Sequence, residues 1–239
     1  MKRIVTALSL IVVGCQAANV EDNVIRLVEE GKISQAQEEA RKSGATGSDL
    51  VRLKGILFHA IGMSDSALVY LKLAQKEKPS DVRITLRLAE TAFWKKDIKS
   101  VHGLVDQVSD KAAAAGPRPW ENQMRKARLE SWLQEFDASK ALYQKVLESK
   151  ETPDAVRVQA RYHTAEIAAW KRDFPKAMAT LDSLLVSIPG YVDAALLKGQ
   201  ILEWKGEYAQ AKAVYTNALQ IHPTDASLRM RLEKLSWVK

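Results

Sequence analysis

Imidazoles and carboxylates at helical spacing are where acid–base or metal chemistry would start, and this chain of 239 residues arranges few of them usefully. His59, His102, His163 and His222 stand far apart, and none has a second ligand at a metal-binding spacing on one helix face. His163 and Glu166 lie one helical turn apart, yet on a helical surface rich in charge that spacing arises often by chance. No glycine-rich phosphate loop, nucleophile elbow or Cys–His arrangement is present. The reading is of a binding protein rather than an enzyme, with no catalytic residue, no metal and no cofactor.

The chemistry the chain does repeat is that of tryptophan. Trp94, Trp132, Trp170 and Trp204 recur in one context: Trp-Lys-Lys-Asp-Ile, Trp-Leu-Gln-Glu-Phe, Trp-Lys-Arg-Asp-Phe and Trp-Lys-Gly-Glu-Tyr. Each is Trp, two residues, an acid and a large apolar residue, at spacings of 38, 38 and 34 residues. A fixed period in this range marks a solenoid of stacked units. Apolar periodicity places paired helices at about 20–43, 48–77, 81–111, 119–149, 154–187 and 191–221, and Ala112 to Pro117 reads as a helix end followed by a loop. A last helix from Asp225 to Val238 carries Leu228, Leu232 and Leu235 on one face and charges on the other, as a capping helix would.

In the last unit Gly199, Gly206, Tyr208, Ala211, Tyr215, Ala218 and Pro223 fall where the tetratricopeptide pattern has its small, aromatic and proline positions. That unit strongly resembles the tetratricopeptide repeat. The unit before it is similar in Ala165, Phe174, Ala177 and Pro189, and an upstream unit in Gly55, Phe58, Gly62, Ala67, Ala74 and Pro79. Around Trp94 and Trp132 the pattern thins to Ala89 and Ala127, with extra residues after each unit. The resemblance implies an all-α, right-handed superhelical solenoid of about six antiparallel helix pairs over 20–223, with the capping helix at 224–239. It also implies a partner-binding groove lined by the first helix of each pair. On that register the groove residues are Arg87, Trp94, Arg125, Arg128, Trp132, Tyr162, Trp170 and Trp204. Aromatics with polar neighbours at regular intervals suit an extended peptide or a polysaccharide; the alternative is that each tryptophan closes the gap to the next hairpin. The cluster Arg118, Arg125, Lys126 and Arg128 reads as a solvated face rather than an anion site.

The N-terminus carries an address. Lys2 and Arg3 precede an apolar stretch from Ile4 to Val13, too short to span a bilayer, which reads as a signal peptide. Val12-Val13-Gly14-Cys15 resembles the lipobox of bacterial lipoproteins, which implies cleavage after residue 14, lipidation of Cys15 and a short tether at 15–19. Gln16 after the cysteine implies sorting to the periplasmic face of the outer membrane; the other reading is secretory cleavage after Ala17 into a soluble exported form. Cys15 is the only cysteine, so packing alone stabilises the exported fold. A formal charge of +7, with its signs interleaved along the chain, does not fit a nucleic-acid reader. The expected partners are proteins of the cell envelope, a membrane reached through the N-terminal lipid, and a polysaccharide. The expected role is a scaffold in envelope assembly, secretion or exopolysaccharide export, with glycan binding or processing in a tryptophan-lined groove as the alternative.

Overall fold

The computed structural model describes residues 20–237 except 29 and 117. The signal segment 1–14, Cys15 and the tether 15–19 lie outside the described residues. Every regular element among those described is a helix. Chain contacts divide the protein into two compact units, the first ending at Leu129 and the second beginning at Glu130.

The first unit holds α1 (20–28), α2 (Ile33–Lys42), α3 (Gly47–Ala60), α4 (Ser64–Glu77), α5 (Val82–Trp94), α6 (Ile98–Asp106), the single turn α7 (Asp110–Ala113) and most of α8 (Pro119–Trp132). The second holds the last turn of α8, then α9 (Phe136–Glu148), α10 (Asp154–Trp170), α11 (Phe174–Ser187), α12 (Val192–Trp204), α13 (Tyr208–Ile221) and α14 (Ala226–Ser236). In the first unit α3 packs on α4, α4 on α5 and α5 on α6. In the second, α10 packs on α11 and α12 on α13, while α14 covers α13 and touches α12. Leu228 and Leu235 of α14 are buried in that contact. The expected all-α fold of helix pairs with a final helix is what the chain adopts.

The recurring Trp-x-x-acid-apolar string is a complete turn between paired helices. In Trp94–Ile98 the Lys96 N–H donates to Phe93 O at 2.8 Å and the Asp97 N–H to Ala92 O at 3.0 Å, which closes α5 as a Schellman turn. The same two bonds end α3, the α8 turn, α10 and α12. This turn requires left-handed backbone at its pivot, filled by Gly62 (φ 73°), Lys96 (62°), Gln134 (66°), Arg172 (60°) and Gly206 (78°). Two of the acids, Asp97 and Asp173, then cap the next helix by accepting from the Ser100 and Lys176 N–H groups. The apolar residue after the acid becomes the first residue of the second helix.

Seven residues before each pivot stands a small residue, Gly55, Ala89, Ala127, Ala165 or Gly199, and all are buried. There the paired helices approach most closely: a methyl group on Gly199 would sit 2.2 Å from a ring carbon of Tyr215, and one on Gly55 2.9 Å from Leu71 Cδ2. One detail differs from the sequence-based expectation. The third pair was expected to run to 111, but α6 stops at Asp106 because Ser109 opens a separate turn by accepting from the Ala112 N–H. The boundary between the two compact units falls inside α8, where the repeat pattern is thinnest.

Candidate binding surfaces

The first helices of the first unit carry charge into the interior. Glu90 of α5 is fully buried. Its carboxylate accepts from His59 Nε2 at 3.0 Å and from the guanidiniums of Arg125 and Arg128. Burial alone would raise its pKa, but Arg125, the His59 hydrogen bond and Arg128 outweigh burial and hold it well below 4.5. His59 Nδ1 lies 3.0 Å from Thr91 Oγ1, and the imidazole stacks on Trp94 at 4.8 Å and 12°. Burial pushes the His59 pKa down, beyond what Glu90 restores. Beside this cluster Arg87, 1% exposed, donates to Glu121 at 3.0 Å. Further along, Arg52 bridges Glu21 at 2.6 Å and Asp81 at 3.1 Å, and Arg83 bridges Glu21 and Asp22, each at 3.0 Å.

Three sequence-based expectations are corrected here. Arg87 offers no groove surface, because it lies under α8 as the counter-ion of Glu121. Arg125, only 13% exposed at its side chain, is held against Glu90 rather than open to a partner, while Arg128 also pairs with Glu90 but keeps 37% of its side chain exposed. The cluster Arg118, Arg125, Lys126 and Arg128 is not a solvated face: Arg118 pairs with Glu121 and Asp22, and Lys126 with Asp110 at 2.7 Å. Desolvated carboxylates beneath the arginines, rather than water, set their positions. That His59 and Glu90 meet in one buried cluster was not read from the sequence; the available signal was a charged pair, Arg87 and Glu90, inside the apolar run of α5, where every residue from Ile84 to Ala92 is buried.

The corresponding face of the second unit is aromatic and lightly acidic. His163 Nδ1 lies 3.0 Å from Glu166 Oε2, while the ring stacks on Tyr143 at 5.5 Å and meets the edge of Tyr162 at 5.2 Å. Tyr162 in turn contacts Tyr191 at 5.6 Å. Neither the Tyr162 nor the Tyr191 hydroxyl takes a hydrogen bond from the described residues. Burial, then Asp193 and Glu166, pushes the Tyr191 pKa up to about 12; burial, then Glu166 and Asp193, also raises that of Tyr162. Tyr162, an expected groove residue, is thus half-buried, and its hydroxyl has no partner among the described residues. Among the described residues no three His, Cys, Asp or Glu side chains gather to hold a metal ion.

The tryptophans sit at the helix-pair turns and are half-exposed: Trp94 45%, Trp170 40% and Trp204 48%. Trp132 is less exposed. Trp170 meets Phe136, and Trp204 meets Phe174, each at 6.1 Å and tilted. Trp170 and Trp204 thus each cover the aromatic that begins the second helix of the preceding pair while staying half-exposed, whereas Trp94 stacks on His59. The two readings of the tryptophans, packing and display, both describe part of each ring.

A tetratricopeptide-repeat family profile matches residues 193–225, which contain α13 and most of α12. The chain matches no curated protein. Its fold is similar to that of a tetratricopeptide repeat protein from Parabacteroides merdae, with a TM-score of 0.66 and 14% identity over 92% of this chain and 86% of that one. It is equally similar to PilW, a widely conserved type IV pilus biogenesis factor, with a TM-score of 0.66 and 12% identity over 90% of this chain and 98% of that one. PilF of Pseudomonas aeruginosa aligns with a TM-score of 0.58 and 12% identity over 93% and 99%. At these identities the likeness shows the fold, an all-α tetratricopeptide solenoid.

Proposed function

We propose that this protein is a non-catalytic scaffold that binds protein partners in the bacterial cell envelope, in assembly or secretion. Tetratricopeptide folds support the scaffold role, and two of the similar structures are a type IV pilus biogenesis factor and PilF. The observation that carries the binding surface is the face of α10 and α12, where Tyr162 and Tyr191 keep unbonded hydroxyls beside Glu166 and exposed Asp193. Such a face receives a segment that offers N–H donors and a cation, with the rings supplying rigid contact area. The lipobox-like Val12-Val13-Gly14-Cys15 supports an anchor on the periplasmic face of the outer membrane, and export of exopolysaccharide is one process that such a scaffold would serve.

The test is a photo-crosslinking residue placed at Glu166 in native cells, against the same residue at Lys140 on α9. A partner captured from position 166 is identified, purified and titrated against wild type and Asp193→Arg. We expect crosslinks from 166 and weakening of at least tenfold in the variant. Crosslinks from 140 alone, or an unchanged affinity, would refute the assignment. For the anchor, Cys15→Ser is expected to move the protein from the membrane to the soluble periplasmic fraction; fatty-acid labelling that persists in the variant would overturn it.

A further inference from the structure

Where α10 turns into α11, a cleft of about 310 Å3 is lined by Ala169, Trp170, Arg172, Phe174 and Trp204. Its walls are aromatic, and the polar groups of its side chains are all donors. Neither indole N–H donates to an acceptor among the described residues, and the Arg172 guanidinium has no hydrogen bond or ion pair to them. The nearby acids are engaged elsewhere: Asp173 caps α11, Glu203 accepts from the Tyr215 hydroxyl at 2.6 Å, Glu207 pairs with Lys205 and Asp137 with Lys171. Arg172 also holds the left-handed pivot of its turn, φ 60°, where the next repeat has Gly206. An L-residue there costs the fold about 1 kcal/mol or more, so local energetics alone favour glycine. In the first unit Lys96, also left-handed and without an ion pair, follows the half-exposed Trp94 in the same way.

We propose that the Trp170–Trp204 cleft binds a carboxylated sugar ring, a uronic-acid residue of an acidic polysaccharide. The C–H face of the pyranose lies on an indole and its carboxylate meets the Arg172 guanidinium, whose planar fork matches a carboxylate in two parallel hydrogen bonds. The hydroxyls on the outer rim remain in water. An extended peptide fits less well, because its amide N–H groups would find no side-chain acceptor in this lining. A neutral sugar would gain no charge-assisted hydrogen bond from Arg172. This site is separate from the tyrosine face of α10 and α12 and does not depend on the scaffold reading.

The experiment titrates the full chain with oligogalacturonate, following tryptophan fluorescence and heat, with maltohexaose and hexaglutamate as neutral and peptide controls. We expect saturable binding of oligogalacturonate alone, weakening with added salt. Arg172→Gly removes the cation while relieving the backbone, so it is expected to fold at least as stably and to bind at least tenfold more weakly. Trp204→Leu is expected to lose binding similarly, and Lys171→Gln, which alters a neighbouring cation already paired with Asp137, to stay within about twofold of wild type. Absence of binding up to about 10 mM oligogalacturonate, undiminished affinity in Arg172→Gly, or hexaglutamate binding as tightly as the oligosaccharide would each overturn the proposal.

Discussion

Glu90 and Glu166 occupy one repeat position, four residues before Trp94 and Trp170, and meet opposite fates. In the first unit the carboxylate is wholly buried and held by His59, Arg125 and Arg128; in the second its side chain keeps 24% exposure and has a single histidine beside it. The difference comes from what the neighbouring helices present. α3 and α8 bring a histidine and two arginines to Glu90, whereas Glu166 pairs with His163 of its own helix, whose ring packs on Tyr162 and Tyr143. Charge placed on a first helix therefore becomes architecture in one unit and surface in the other.

The strongest way to break this comparison is to remove each carboxylate. Glu90→Ala strands two arginines and a histidine in a desolvated site and is expected to cost about 3–5 kcal/mol. Glu166→Ala is expected to cost less than about 1 kcal/mol. Urea denaturation with hydrogen-exchange mass spectrometry, which reports the units separately, measures both; equal losses would erase the distinction.

The small position sharpens it next. Gly199→Ala drives a methyl to 2.2 Å from the Tyr215 ring, which packing and its Glu203 hydrogen bond hold in place. Overpacking there is expected to cost about 3 kcal/mol. Gly55→Ala meets the Leu71 methyl end at 2.9 Å, which a rotamer shift relieves, and is expected to cost about 1 kcal/mol. Thermal melts of the two variants check the order.

Acid and alkali should separate the units as well. Glu90 is held well below 4.5 and His59 below 6.5, so each releases its proton more readily folded than unfolded. Their contribution is present at neutral pH and is lost on acidification, beginning below about pH 6.5 for His59 and about 4.5 for Glu90. In the second unit Tyr191 is raised from 10.0 to about 12, and Tyr162 and Tyr215 are raised too. Their contribution is present below pH 10 and is lost as pH climbs toward 12. Oxidative footprinting, read peptide by peptide across pH, is expected to show the first unit opening first in acid and the second in alkali.

The smallest effect is where the units agree. Lys96→Gly and Arg172→Gly both relieve left-handed backbone and are each expected to stabilise by about 1 kcal/mol. Unequal gains would mean that one of these cations makes a contact beyond the turn.

The sequence alone determined the helix pairs, their period, the turn chemistry and the small positions, because each depends on residues within a single helix pair. Trp-x-x-acid-apolar encodes a helix end, a left-handed pivot, an N-cap and a first helical residue in five consecutive places. Only the tertiary structure decided which charges are buried. Arg125 looks like a surface residue from its own neighbours, and becomes a counter-ion only because Glu90 arrives beneath it from 35 residues away. Desolvation is a property of everything packed around a group, and no local spacing carries it.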